Sequence, residues 1–317
     1  MPGSSDTPTV VFVGAVTHDA IALVDHFPGP DEHQVSRQVV HAGGGPAATA
    51  AVAAARLGVP AALVGAVGAD EVGEQILASL RREAVDVTGV EVVRGRPSGC
   101  SVVVVDAGRG TRAICTRPVP SLSIPTHGRA ADLLSQAVWV HTDHLGWGPL
   151  QGWRAARGAS APRPRVSVDA GNPIAGFDVA GVDLFVPTVE ALVREHGDLP
   201  VDDLLAAALR GGADTVVATR GAAGSVAATA QGERHEAAGH AVPVVSTLGA
   251  GDVFHGALIA AVVRGMPLLD CLHYANVTAA LSCRGLDGRS AIPTHEEVLA
   301  ALPVQLVPSP ALPEETP

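Results

Sequence analysis

The run Leu248-Gly249-Ala250-Gly251-Asp252-Val253-Phe254-His255-Gly256 brings together the residue types that phosphate chemistry needs. Small residues at Gly249, Ala250 and Gly251 let a ligand approach the main chain closely. An apolar helical pattern follows over 253–263, so the amides just before it sit at a helix N-terminus and cradle negative charge. Asp252 adds a carboxylate in the first helical turn, beside that cradle. An acid next to an anion site is unfavourable unless it takes a proton from something. Phosphoryl transfer to an alcohol needs that pair, a base for the hydroxyl and dipoles for the phosphate charge. The plainer alternative is a helix N-terminus whose Asp merely favours the dipole. The rest of the chain has to decide between them.

The elements that would position this run follow from periodicity. A strand-like stretch, 241–245, precedes it. Residues 10–13 read as a short buried strand, and 46–57 as an Ala-rich helix with Pro46 in its first turn and Gly58 as its stop. Residues 61–67 return as a strand and 71–82 as an amphipathic helix. Short apolar runs at 137–141, 166–169, 184–186 and 215–219 are each flanked by turn or helix signals. This alternation predicts an α/β fold, a mostly parallel sheet covered by helices on both faces. Two segments, 17–40 and 96–117, hold β-like stretches without helical pattern, and read as a small β-lid standing apart from that sheet. The expected organisation is a core of 1–16, 41–95 and 118–302, a lid of 17–40 and 96–117, and a flexible Pro-rich tail at 303–317.

Composition narrows the function. The 317 residues are 47% hydrophobic and 3% aromatic, with a formal net charge of −11. A basic groove with stacking platforms does not fit those values, which disfavours nucleic-acid binding. No apolar run reaches the ~18 residues of a membrane helix, and the N-terminus lacks a basic-then-apolar leader, so a cytoplasmic protein is expected. Cys100, Cys115, Cys271 and Cys283 show no metal spacing and read as buried free thiols. All 21 basic residues are arginines. A Walker lysine, a protein-kinase lysine and a Schiff base are therefore excluded, which leaves backbone amides, arginine or metal to handle phosphate. A dinucleotide fingerprint is also excluded, because Gly14-Ala15-Val16-Thr17-His18-Asp19 lacks the second and third glycines.

Gly44-Gly45-Pro46-Ala47-Ala48-Thr49 through Arg56-Leu57-Gly58 resembles the first signature of the ribokinase-like (PfkB) carbohydrate kinases, and Leu248-Gly249-Ala250-Gly251-Asp252 resembles their second. Gly14 to Asp19, Gly65-x-x-Gly68-x-Asp70-x-x-Gly73, Thr219-x-Gly221-x-x-Gly224 and Ala275-Asn276 to Gly285 echo further motifs in the family's order, from about residue 10 to 293. The resemblance implies a Rossmann-like core with a β-lid that often dimerises, and transfer of the γ-phosphoryl of ATP to a hydroxymethyl group with Mg²⁺. It implies Asp252 as the base, Gly249, Ala250 and Gly251 as the anion hole, and Asp19, Gly44, Gly45 and Thr49 around the sugar. Thr219, Gly221, Gly224, Asn276 and Gly285 lie where the family contacts adenine nucleotide. Each has a local alternative: a turn residue at Asp19, a tight turn at Gly44 and Gly45, strand-end chemistry at Thr219 and Gly221.

Three departures from the family pattern matter. Ser246 stands where the second signature carries an Asp, which makes activation by a monovalent cation doubtful. Thr49 replaces the customary Asn. The Asn-Glu-x-Glu segment that organises Mg²⁺ reads Thr188-Val189-Glu190-Ala191, leaving Glu190 alone as a metal-site carboxylate. The string from Gly43 to Gly58 resembles the sulfofructose kinase branch, whose sulfonate would need a cation. Arg37 in the lid segment could serve, although Asp31 and Glu32 nearby would repel an anionic sugar if they faced the site. His141, Asp143 and His144 after a core strand could meet substrate or metal, with a solvated loop as the expected outcome, and His255 is expected to pack beneath the site. The sequence thus points to an ATP-dependent sugar kinase acting on a primary hydroxyl, homodimeric through the lid. Nucleoside kinase and non-catalytic sensor are its alternatives.

Overall fold

The computed structural model describes residues 10–158 and 162–302, so the tail expected at 303–317 lies outside the described residues. In order come β1 (Val10–Val13), β2 (Thr17–Val24), β3 (Gln38–Gly44), α1 (Pro46–Arg56), β4 (Ala61–Val64), β5 (Ala66–Gly68), α2 (Glu71–Arg82), β6 (Glu91–Val93), β7 (Cys100–Asp106) and β8 (Thr111–Arg117). Then follow α3 (Arg129–Gln136), β9 (Trp139–Thr142), α4 (Trp147–Arg157), β10 (Arg165–Asp169), β11 (Leu184–Val186), α5 (Val189–His196), α6 (Val201–Arg210), β12 (Thr215–Thr219), β13 (Ser225–Thr229), β14 (Arg234–Ala237), α7 (Ala250–Val263), α8 (Leu268–Ser282) and α9 (His295–Ala301).

Eight strands form the main sheet in the order β14-β13-β12-β11-β10-β9-β1-β4. Pairing is parallel from β4 across to β12, and β13 and β14 close the edge antiparallel. β1, β4 and β9 are buried along their whole length, as strands covered on both faces must be. One face packs on α1, α7 and α8, the other on α3, α4 and α6. The carboxyl ends of the parallel strands therefore open onto a common edge, the usual place for a site in such sheets.

A second sheet, β3-β2-β7-β8, stands apart. Its strands alternate, so that Asp19, Ile21, Ser101, Val103 and Val105 are buried while Val102 and Val39 face outward. β3 runs on to Gly44 and passes directly into α1 through Gly45. Gly45 caps α1 with φ +88°, and Pro46 takes the first helical position, where its missing N–H costs nothing. The alanines of α1 supply strong helix propensity and a thin face. Gly256 of α7 lies against that face, where a Cβ would stand 2.7 Å from the Ala53 Cβ.

Several local expectations are corrected. Residues 241–245 form no strand: Pro243 has no N–H to give, and the N–H groups of Val245 and Ser246 both donate to the Cys283 carbonyl, at 2.8 and 3.2 Å. The run 61–67 is two strands broken at Gly65, because β4 pairs with β1 while β5 pairs with β6. Cys115 is exposed and Cys100 half-buried on the separate sheet, so only Cys271 and Cys283 are buried thiols, and all four are free.

Gly45→Ala tests the turn between the two sheets. A Cβ there would stand 2.5 Å from the Ala15 carbonyl oxygen and 2.7 Å from the Val16 Cα, both main-chain atoms that cannot step aside. Left-handed strain and overpacking together should destabilise by about 2–5 kcal/mol. In a scanning calorimeter Tm should fall by roughly 5–15 °C, and an unchanged Tm would show that this turn is not so constrained.

Candidate active site

A cavity of about 480 Å³ opens where the second sheet faces the carboxyl edge of the main one. Its walls are Thr17, Asp19, Ile21, Ser101, Val103 and Arg112 from the second sheet, and Gly43, Gly44, Gly45 and Thr49 around the start of α1. Its floor is Thr247, Leu248, Gly249, Gly251 and Asp252 at the start of α7. The helix begins at Ala250, with Gly249 as a left-handed N-cap at φ +74°. A Cβ on Gly249 would lie 2.8 Å from the Gly288 Cα, so two glycine backbones touch here and nothing larger fits. The Ala250 N–H donates to the Thr247 carbonyl at 3.3 Å. The amides of Gly251 and Asp252 have no acceptor among the described residues and remain available to an anion.

Asp252 lines this cavity, half-buried, in the first turn of α7. Burial pushes its carboxyl up to about 7, and the neighbouring Asp169 carboxylate adds to the rise while His255 opposes it. A carboxylate tuned near neutrality suits a general base. Asp169, at the end of β10, was not singled out from sequence; its position at a strand's carboxyl end was the available signal. Its Oδ1 accepts from the Gly171 N–H at 2.9 Å and from His255 Nε2 at 3.2 Å. Although burial works against ionisation, His255 keeps Asp169 well below the usual carboxylate range. His255 lies beneath the site with its ring 5.2 Å from that of His141, which burial holds neutral, down to about 3.

The solvated loop expected around 141–144 does not occur. His141 and Asp143 are buried, and only His144 reaches the cavity wall. Asp143 accepts N–H bonds from Ala15 at 2.7 Å, Ala47 at 3.2 Å, and Leu145 and Gly146 at 2.9 Å each. One carboxylate thus ties the end of β1, the start of α1 and the turn before α4. Arg289 was also missed. Buried behind Gly43, it donates from Nε to Thr49 Oγ1 at 3.2 Å and from Nη2 to the Gly44 carbonyl at 2.8 Å.

Asp19 is buried beside Gly44, which lacks the Cβ that would displace its carboxylate, and Asp19 Oδ1 has no partner. Arg37 does not face the cavity: it is exposed and pairs with Asp25. Asp31 and Glu32 lie in an exposed turn, Glu32 bonded to His26 and the Gly29 N–H, and so cannot repel a ligand in the cavity. The cation that lines the cavity is Arg112 on β8, whose Nη1 donates to Thr247 Oγ1 at 2.9 Å.

Residues 7–143 and 178–295 match the family described as pfkB family carbohydrate kinase. The chain belongs to that family. A ribokinase of Haemophilus influenzae is 25% identical over 93% of this chain and 98% of its own. The ketohexokinase of Mus musculus is 26% identical over 88% of this chain and 98% of its own. Among solved structures, the ribokinase of Arabidopsis thaliana, complexed with ribose and ATP, superposes with a TM-score of 0.77 at 22% identity, covering 93% of this chain and 98% of that one. The fold is ribokinase-like, and the chain is an ATP-dependent carbohydrate kinase of the pfkB family.

The residues that the pfkB resemblance assigns to nucleotide lie outside the cavity walls, most of them at the antiparallel edge. Thr219 ends β12, and Gly221 and Gly224 frame the turn into β13. The main chain of Ala237, Ala238 and Gly239 packs on the bare Cα of Gly224, and Asn276 Nδ2 donates to the Ala237 and Ala238 carbonyls at 3.1 and 3.2 Å. Gly285 sits apart from these, in the turn after α8 against Ser290 and Ala291. Glu190 is exposed in the first turn of α5, which Thr188 caps. Ser246 is buried and its Oγ accepts the Leu248 N–H at 3.1 Å. No cluster of three or more His, Cys, Asp or Glu able to hold a metal occurs among the described residues. No helix among them is long and apolar enough to cross a membrane.

The position of Asp252 sets a pH profile. A base must be unprotonated, so kcat/KM should fall about tenfold per pH unit below the Asp252 value of about 7 and level off above it. A profile flat between pH 5.5 and 8 would remove Asp252 from that role.

Proposed function

We propose that this pfkB enzyme phosphorylates the primary hydroxyl of a sugar from ATP, with Asp252 as general base. The observation that carries the reading is the meeting, on one cavity wall, of a carboxylate raised to about 7 and the unpaired amides of Gly251 and Asp252. The hydroxyl proton passes to Asp252 as the oxygen attacks the γ-phosphorus, the bond from that phosphorus to the β–γ bridging oxygen breaks to release ADP, and the amides take up charge on the transferring oxygens. Asp19, with an orphaned buried oxygen, accepts a sugar hydroxyl, and Gly44, Gly45 and Thr49 shape the wall around it. Thr219, Gly221, Gly224, Asn276 and Gly285 are assigned to the nucleotide side. ATP with Mg²⁺ fits a site with no protein metal cage among the described residues, since the ion is commonly held largely by phosphates and waters, and Glu190 is the carboxylate assigned to it. Bound there, Mg²⁺ would neutralise phosphate charge.

No Phe, Tyr or Trp lines the cavity, which favours a sugar over a nucleoside needing a stacking partner. Ketohexoses are within range, and for a sulfonated one Arg112 is the available anchor. We further assign a homodimer through the separate sheet, whose outer face exposes Val39 at 58% and Val102 at 56%, and a cytoplasmic location, where ATP is supplied. Val102→Glu should then convert the dimer to monomer by light scattering, and a wild-type monomer would dispose of the dimer.

Asp252→Asn should lower kcat by roughly 10²–10⁴ while ATP affinity changes little, read as ADP release over a panel of hexoses, pentoses and nucleosides. Near-wild-type turnover in that variant would contradict the reading. Binding without ADP formation on any substrate would favour a sensor.

A further inference from the structure

Two buried carboxylates bear on Asp252 at the cavity floor, Asp143 in the turn after β9 and Asp169 at the end of β10. Asp143 is compensated by four N–H donors. Asp169 has one N–H, from Gly171, and His255. His255 follows Asp252 by three residues on α7, the spacing that puts both side chains on one helix face. Both members of the His255–Asp169 pair are buried, with 6% and 7% of their surface exposed.

We propose that His255 is a positioning residue, whose charge, held by Asp169, keeps the base Asp252 ionised at working pH. This rests on the reading of Asp252 as the base. The groups facing the pair are few. Asp252 meets Asp169, Asp143, His255 and Arg289; His255 meets Asp169, Asp252 and the neutral His141. Arg289 is committed to Thr49 and Gly44, which leaves His255 as the cation that balances Asp169. Without it, Asp169 and Asp143 would both press on Asp252, and the base would ionise only at higher pH. His255 Nδ1 is buried without a partner, so the ring's charge depends on the carboxylates alone, against the penalty of burial.

The test is a charge cycle read in the pH dependence of kcat/KM. His255→Gln should move the ascending limb up by about one pH unit or more, while activity at the alkaline plateau survives. The neutral pair Asp169→Asn/His255→Gln should bring the limb back towards its wild-type position, since one negative and one positive charge leave together. A uniform loss of rate with the ascending limb unmoved would mean a structural role only and overturn the proposal. A second measurement needs no activity and no single variant that folds. In ¹⁵N-histidine spectra of the wild-type chain, assigned with the double variant, His255 should titrate above the ordinary 6.5. A midpoint below 6.5 would overturn the proposal even in an active kinase. Absence of kinase activity on any substrate would strike at the proposed function instead, leaving the spectra to decide the His255 charge.

Discussion

The rest of the site depends on how three carboxylates can share dry ground at the carboxyl edge of one sheet. Each needs a different answer, and the answers divide the labour. Asp143 is surrounded by peptide N–H groups and so becomes a joint between loops. Asp169 borrows a histidine, and both are locked below the floor. Asp252 accepts no such hydrogen bond among the described residues, and burial makes ionisation costly enough that it hovers near neutrality. The residue left undersupplied is the one proposed as the proton acceptor, a pattern common where acid-base chemistry happens.

The second constraint is proximity of backbone. Gly249 touches Gly288, Gly256 lies on Ala53, and Gly45 sits against the Ala15 carbonyl. These contacts bring the start of α7, the start of α1 and the end of β1 to one point, so that amide dipoles and carboxylates face the same few ångströms. The absence of lysine fits such a device: in the proposed reading, charge on a transferred group would be met by peptide amides, with Arg112 reaching over from the separate sheet. Arg112 rests on Thr247, just ahead of the N-cap, and so links the separate sheet to the start of α7.

What could be read from the sequence was local or repetitive. Strands β1, β11 and β12 and helix α2 fall where periodicity put them, because a buried parallel strand and an amphipathic helix each write their own pattern. The PfkB membership was legible for another reason: its glycines are demanded by close backbone approach, which composition cannot disguise. What failed was decided across the chain. Asp143 looked like part of a polar loop because its partners, Ala15 and Ala47, are 128 and 96 residues away. Arg289 reaches Thr49 across 240 residues, and no local pattern announces it. The run 241–245 has strand composition, but Pro243 and the Cys283 carbonyl decide its path. Arg37 was chosen by segment alone, and it falls in the bend before β3, where Asp25 holds it in solvent.

The charges that line the cavity also limit what it accepts. Asp19 and Asp252 face it as acids, against Arg112 as the single lining arginine. Asp19 carries an oxygen buried without a donor, a deficit of about 1–3 kcal/mol that a hydroxyl would relieve and an anion would worsen. Arg289, the other nearby cation, is turned away behind Gly43 and occupied. A polyhydroxylated, near-neutral molecule therefore suits the part of the cavity beside Asp19 and Asp252. Any anionic substituent has to lie within reach of Arg112, or Asp19 and Asp252 will oppose it.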